Sequence, residues 1–290
     1  MSPSWRTFTM LRRTLSALAV VFALAATTGT AAATTGKAPA ADGRGARVLD
    51  VMTFNIHHAQ GTDDLLDVPR IADVVRRSGA DVVGLQEVDN HYSARSDWAD
   101  QADDLAKLLG YHVVFGANID NAPPAGSDHR IQYGTAILSR YPITASDNTW
   151  LYKSPGQEQR GLLHATLNVR GKAVQFYCTH LAASSQTDRL QQTPQIVDLI
   201  GDKGPAVLVG DFNALPTAPE SQPLQSSYTD AWARSAHGGD GATYPAEAPT
   251  ERIDAIYTTG DVKPLVTRVV QADPTASDHL PLVSRILVTP

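Results

Sequence analysis

The chain has 290 residues, with 24 lysines and arginines against 30 aspartates and glutamates, a formal net charge of −6. Hydrophobic residues make up 42% and charged residues 19%, an ordinary balance that excludes a largely disordered chain. The acidic excess argues against a basic tail that coats nucleic acid. A single cysteine, Cys178, excludes an intramolecular disulfide framework and a Cys-rich zinc site.

The first predicted element is a leader rather than part of a fold. Residues 1–33 carry Arg6, Arg12 and Arg13 and no acid, then an apolar run from Leu15 to Ala26, then Ala31-Ala32-Ala33. That order is expected of a secretory signal peptide cleaved near Ala33, and the run is short for a membrane-spanning helix. Arg12-Arg13 raises the twin-arginine route beside the general one. Cleavage would take 24 basic residues to 21 against 30 acidic, a net charge of −9. Residues 34–46 read as a flexible linker, and residues 47–290 as one folded domain of a secreted protein.

Val48 to Ile56 is β-rich, with Val48, Met52, Phe54 and Ile56 expected to face a core and Asn55 the opposite side. A helix follows, with Asp67 as cap, Pro69 in the first turn, Ile71, Ala72 and Val75 on one stripe, and Gly79 as stop. Residues 81–88 form a short buried strand. A second helix is predicted from about Asp97 to Leu109, with Trp98, Ala102, Leu105 and Leu109 on its apolar stripe. Residues 134–139 form a strand, and 161–168 and 173–181 a hairpin. Leu190, Ile196, Val197 and Ile200 suggest a third helix, which Pro194 kinks or divides in two. Further strands fall at 206–209, 253–258, 262–270 and 280–288. Many strands, a few helices and an early β-α-β order predict an α/β sandwich.

The chemistry collects at strand ends. Glu87 closes an apolar strand and is either a ligand for a hard cation or a surface acid. Asp211 and Asn213 are two apart, so in an extended segment they share a side and suit a water or phosphate oxygen; the alternative is an Asx turn. His279 is able to take a proton from water near neutral pH. Its neighbour Asp278 points away from it, so Asp254, a polar residue within an apolar strand, is the better partner. His180 ends another strand, as a donor to phosphate or as a satisfied structural residue. Cys178 reads as a small buried hydrophobe.

These residues and their order resemble the endonuclease/exonuclease/phosphatase superfamily over residues 47–290. The matching pieces are TFN at 53–55, LQEV at 85–88, YGTAILSRYP at 133–142, THL at 179–181, GDFNA at 210–214, RIDAIY at 252–257 and SDHLP at 277–281. The resemblance implies a four-layer α/β sandwich, two packed mixed β-sheets flanked by helices. It also implies Mg²⁺- or Mn²⁺-assisted cleavage of a phosphoester by water. By motif position Glu87 is the implied principal metal ligand, with Asn55 beside it and Asp278 close by. Asp211 and Asn213 orient water and a phosphate oxygen, and His279, held by Asp254, is the general base. His180 contacts phosphate, Tyr133 is the aromatic hydroxyl near it, and Arg160 either holds phosphate or pairs with an acid. His57 departs from the pattern, because some members carry an acid there. It favours a softer ion such as Mn²⁺ or Zn²⁺, or contacts substrate, as does His58.

The leading expectation is therefore an exported metal-dependent phosphoesterase, such as an extracellular endonuclease, acting as a monomer with no stable protein partner. A phospholipid or sphingomyelin phosphodiesterase and a sugar or inositol phosphatase are the alternatives. So is a non-catalytic binding module on the same fold. A zinc hydrolase lacks an H-E-x-x-H motif or a cysteine cluster.

Overall fold

The computed structural model describes residues 45–290; the leader and nearly all of the linker lie outside the described residues. Among the described residues, twelve strands form two six-stranded sheets. The first sheet has the order β11-β12-β1-β2-β4-β3, and the second β5-β6-β7-β8-β10-β9. In the first, β1 is Arg47–Asn55, β2 Val82–Asn90, β3 His112–Asn121, β4 Ile131–Ser139, β11 Val262–Val269 and β12 Leu282–Val288. In the second, β5 is Ile143–Trp150, β6 Gly161–Val169, β7 Lys172–His180, β8 Ala206–Asp211, β9 Thr229–Asp230 and β10 Asp254–Thr258. The helices are α1 (Val68–Ser78), α2 (Gln101–Leu109), α3 (Gln186–Ile200), α4 (Gln222–Ser227) and α5 (Ala231–Arg234). Among the described residues no helix is long and apolar enough to cross a membrane.

Period-two alternation gives β1 two buried faces. Leu49 and Val51 enter a core between the sheets with Ile137, Leu163, Phe176, Val207, Ile256 and Ile286. Met52 and Phe54 enter a second core with Ile71, Val75 and Leu105 of α1 and α2. Leu162, Tyr177 and Leu208 form a third with Ile196, Ile200 and Leu224 of α3 and α4. The result is the four-layer arrangement of two mixed sheets with helices outside. Gly84 marks a close approach between the sheets: a Cβ there would lie 2.3 Å from Val209 Cγ2. Cys178 is buried in the same layer, and burial pushes its thiol up to about 12, so it stays an uncharged packing group.

Each sheet contains one parallel pair, β1 with β2 and β7 with β8, crossed by α1 and α3 respectively. Parallel pairing brings the C-terminal ends of both strands to one edge. Asn55 and Glu87 stand at that edge of one sheet, and His180 and Asp211 at that of the other. The antiparallel partners add their N-terminal ends. Asp254 pairs in register with Asp211, and β12 pairs with β1, so the residues leading into β12 arrive beside Asn55.

Local chemistry sets the helix ends. Asp67 accepts the Arg70 amide at 2.9 Å, and Gly79, at φ +75°, stops α1. Three details differ from the sequence reading. Val48 is 50% exposed, because on its side of β1 the core with α1 and α2 begins only at Met52, although Leu49 on the other side is already buried. Trp98 is 48% exposed and lies before α2, which starts at Gln101 after the Asp100 cap; Asp97 and Trp98 adopt left-handed backbone and so cannot extend it. Pro194 does not divide α3, which runs unbroken over Gln186–Ile200. Pro194 and Leu190, the residue whose carbonyl it deprives of a partner, are both exposed, so the break in the hydrogen-bond ladder lies on the solvent side of the helix.

Candidate active site

A cleft of about 330 Å³ opens at the shared edge, lined among others by Glu87, Arg160, His180, Asp211, Asn213, Asp278 and His279. On the first-sheet side, β2 bulges between Leu85 and Val88, and Glu87 takes φ +59°. The bulge turns its carboxylate toward the cleft. Its hydrogen-bond partner is Asn55 Nδ2 at 3.0 Å, and no arginine or lysine among the described residues forms an ion pair with it. Asn55 Nδ2 also donates to Asp211 Oδ2 at 3.0 Å, while Asn55 Oδ1 accepts the His57 amide at 3.1 Å. In this geometry the Asn55 amide nitrogen bridges carboxylates from the two sheets, and its oxygen faces away from Glu87.

On the other side, His279 Nδ1 lies 2.9 Å from Asp254 Oδ2, which also accepts Thr243 Oγ1 at 2.6 Å. A carboxylate can only accept, so Nδ1 carries the proton and Nε2 faces the cleft, 3.7 Å from Asp211 Oδ2. Burial works against charge on His279, but Asp254, Asp211 and Asp278 outweigh it and push the imidazole up to about 10. Asp211 is 1% exposed; burial, then the neighbouring Asp254, push it up to about 7.

His180 has the opposite electrostatics. Burial, Arg160 and His279 all hold it well below its ordinary value, so it is neutral. Arg160 NH1 stands 3.0 Å from His180 Nδ1 and can only donate, which leaves the ring proton on Nε2, 3.5 Å from Asp211 Oδ2. Arg160 also pairs with Glu158 at 2.8 Å, the acid partner among its two expected roles, and it lines the cleft.

Asp211 and Asn213 do not share an extended segment. The strand stops at Asp211, whose Oδ1 accepts the Asn213 amide at 2.9 Å in an Asx turn, and Asn213 takes φ +47°. The turn still leaves Asn213 on the cleft, with its Nδ2 donating to Leu181 O at 3.1 Å. Asp278 also lines the cleft, beside Ser277, whose hydroxyl donates to Asn55 O at 2.8 Å. Tyr133 lies apart from that lining, on β4. Its phenol is held protonated by burial and by nearby Glu87, and its ring stacks near Tyr92 and Arg95.

Sequence reasoning missed Thr243 and Tyr244. Thr243 holds Asp254, and the Tyr244 ring lies 4.8 Å from that of His279. Both come from an irregular loop with no periodic signal.

Two clusters bring potential metal-ligand atoms within 4.8 Å of one another: Asp211, Asp254 and His279, and His57, His58 and Glu87. Glu87 and Asp278 present carboxylate oxygens to an open cleft. Glu87 in particular has no balancing side-chain cation, a donor set that fits a hard divalent ion.

A sandwich of this topology, with acids, amides and histidines gathered at one edge, defines a phosphoesterase-type fold with candidate metal-binding residues. The chain belongs to the endonuclease/exonuclease/phosphatase family, whose model matches residues 52–279. The family's enzymes are typically phosphoesterases and generally depend on a divalent metal. The uncharacterised protein YbhP of Escherichia coli (strain K12) is 29% identical over 257 residues, 81% of this chain and 95% of that protein. An endonuclease/exonuclease/phosphatase from Beutenbergia cavernae superposes with a TM-score of 0.71 at 28% identity, over 84% of this chain and 72% of that one. A mannosyl-6-phosphatase from Bacteroides thetaiotaomicron shares the fold, with a TM-score of 0.67 at 19% identity, over 82% and 99%.

Proposed function

We propose that this protein is an exported phosphoesterase that uses a divalent cation and a water molecule to hydrolyse a small phosphorylated substrate. The observation that carries the reading is the convergence on one cleft of Glu87 and Asn55 from one sheet with His180, Asp211 and the Asp254–His279 pair. His180 Nε2–H and the Arg160 guanidinium suit the non-bridging oxygens of a phosphoryl group. Asp254 holds the His279 Nδ1 proton, leaving Nε2 to accept one from water. Glu87 and Asp278 would hold the cation, which when bound would polarise a phosphoryl oxygen and offset carboxylate charge. Positive charge beside Asp278 would weaken one of the carboxylate influences that raise His279, in the direction of the neutral form that a base requires.

A net charge of −9 after loss of the leader and a cleft of about 330 Å³ favour a small phosphate ester over a nucleic-acid duplex. The likeness to a mannosyl-6-phosphatase agrees with that choice. The leader supports export, with cleavage near Ala33, which N-terminal sequencing of the mature protein checks.

Purified protein with Mg²⁺ or Mn²⁺ is expected to release phosphate from sugar or inositol phosphates. Bis-p-nitrophenyl phosphate, DNA, RNA and sphingomyelin complete the panel. Glu87→Ala is expected to abolish that hydrolysis while its circular dichroism stays native. Full activity in that variant removes the metal assignment, and silence on every substrate favours a binding module.

A further inference from the structure

Immediately after β1 the chain makes an unusual turn. His57, His58 and Ala59 take φ of 45°, 45° and 60°, three consecutive non-glycine residues in the left-handed region. Each costs of order 1–3 kcal/mol, and such strain gathers at functional sites. The turn sets the two imidazoles edge to face, with ring centroids 4.5 Å apart. It is also tied to β2, because Gln101 donates to His58 O at 2.6 Å and accepts the Asp89 amide at 3.0 Å.

One residue, Gln60, sets the proton positions on both rings. Its backbone carbonyl faces His57 Nδ1 at 3.1 Å, and its side-chain Oε1 faces His58 Nε2 at 2.9 Å. The amide's orientation is fixed by Nε2 donating to Asp64 Oδ1 at 3.3 Å. Both oxygens only accept, so those two ring nitrogens carry the protons. The lone pairs remain on His57 Nε2 and His58 Nδ1. His58 is 6% exposed, and its Nδ1 has no hydrogen-bond partner, an unpaired acceptor in a buried place. A ring nitrogen of each histidine and a Glu87 carboxylate oxygen lie within 4.8 Å of one another.

Histidines that ligate metals characteristically donate their other N–H to a carbonyl or similar acceptor, which is what Gln60 provides twice. We infer that His57, His58 and Glu87 form a second cation position, selective for a borderline transition ion such as Zn²⁺ or Co²⁺ over Mg²⁺. Two imidazoles and one carboxylate suit such an ion, whereas Mg²⁺ favours oxygen donors and water. The position shares Glu87 with the proposed catalytic cation, but it requires no turnover.

The test is a Co²⁺ titration of the metal-stripped protein, read by visible d–d absorption. Wild type is expected to develop bands of a nitrogen-ligated, low-coordinate ion at one equivalent. His57→Ala and His58→Ala each remove them. Gln60→Ala, which takes away the acceptor on His58 Nε2–H, weakens Co²⁺ binding roughly 10–100-fold, and Gln60→Glu restores it. Asp278→Asn leaves the bands in place. Because His58 is buried, His57→Ala at a half-exposed position decides the matter if His58→Ala does not fold. Absence of bands in wild type, or bands unchanged in a folded His57→Ala, overturns the inference. So do bands lost only in Asp278→Asn. None of these readings depends on hydrolysis, so failure here and failure of the phosphoesterase reading are told apart.

Discussion

The two edges that meet at the cleft are built in contrasting ways. On the edge of β1 and β2 the backbone leaves regular conformation, with positive φ at His57, His58, Ala59 and Glu87. Charge is unbalanced there: Glu87 meets a neutral amide, and His58 Nδ1 meets nothing. On the edge of β7, β8 and β10 the residues sit on ordinary strand ends in register, His180 beside Asp211 and Asp211 beside Asp254. Their carboxylates are matched by His279, which reaches across from the loop before β12. The first edge is strained and leaves Glu87 without a lysine or arginine ion pair among the described residues. The second holds its proton on regular strand ends, with left-handed backbone only at Asn213 beyond β8. On the proposed function this difference divides the labour: one edge would bind positive charge, and the other would place a proton.

The sharpest way to break that division is His279→Ala. Loss of a general base costs about 10²–10⁴-fold in kcat. If the edges act separately, cation affinity stays within a few-fold of wild type while turnover collapses, and Glu87→Ala shows the reverse emphasis. Isothermal titration of the cation beside steady-state kinetics measures both. An equal loss of cation affinity in the two variants would merge the edges into one unit.

A second test uses pH on the metal-stripped protein. His279 is raised to about 10 in the fold, against an ordinary value near 6.5. A raised group contributes stability that is fully present below the unfolded value and lost as pH climbs through the folded one. Asp211, raised to about 7, acts in the same direction from about pH 4 upward, because the folded state holds its proton longer. Stability is therefore expected to fall by roughly 3 kcal/mol between pH 6.5 and 9. Saturating Mg²⁺ should flatten that slope. Asp63 works in another window: Arg70 holds it down at about 2, so its contribution is lost only as pH falls below about 4. Thermal melts across pH 5–9 that are flat or rising would show that the second edge is not charged as described.

Much of this arrangement is legible in the sequence because it follows from short apolar runs ending in polar residues. Glu87, His180 and Asp211 stand out for that reason, and the β1–α1–β2 order with its Asp67 and Gly79 punctuation is plain. Adjacent side chains point apart in extended chain, which already separates Asp278 from His279. What is not legible has physical causes. β5 is an edge strand with the sequence ITASDNTW and is mostly exposed, so it lacks the alternation of a buried strand; β3 does alternate, with Val113, Phe115, Ala117 and Ile119 on one side, but its buried positions are Gly116 and Asn118, residue types that do not announce a strand. The apolar stripe of α2 runs backward into Trp98, but a cap at Asp100 outweighs one more apolar contact. Thr243 reaches Asp254 through a loop whose position depends on the whole fold. Gln60 is hidden for another reason. Its two acceptor contacts exist only because three preceding residues take left-handed backbone, which no periodicity announces.

The smallest effect, and the finest test of the second edge, is Asp254→Asn. Asp254 acts through His279, and its carboxylate is the largest of the influences that raise that imidazole. Asparagine keeps the shape and can still accept from Thr243 and from His279 Nδ1, but it brings no charge. The folded state should survive, and kcat should fall by roughly 10–100-fold, the usual cost of losing an outer partner. A structural role alone would stop there. If Asp254 tunes the base, the His279 ring nitrogens, followed by NMR in the metal-stripped protein, must titrate lower than in wild type. The acid limb of the pH–rate profile must move down with them, because burial now pulls the imidazole toward neutrality with less opposition. Thr243→Val, which removes the hydroxyl on Asp254 Oδ2 and leaves the charge, should move neither limb by as much. An Asp254→Asn profile that loses height without shifting would assign Asp254 to holding the ring and leave its charge without a part in the base.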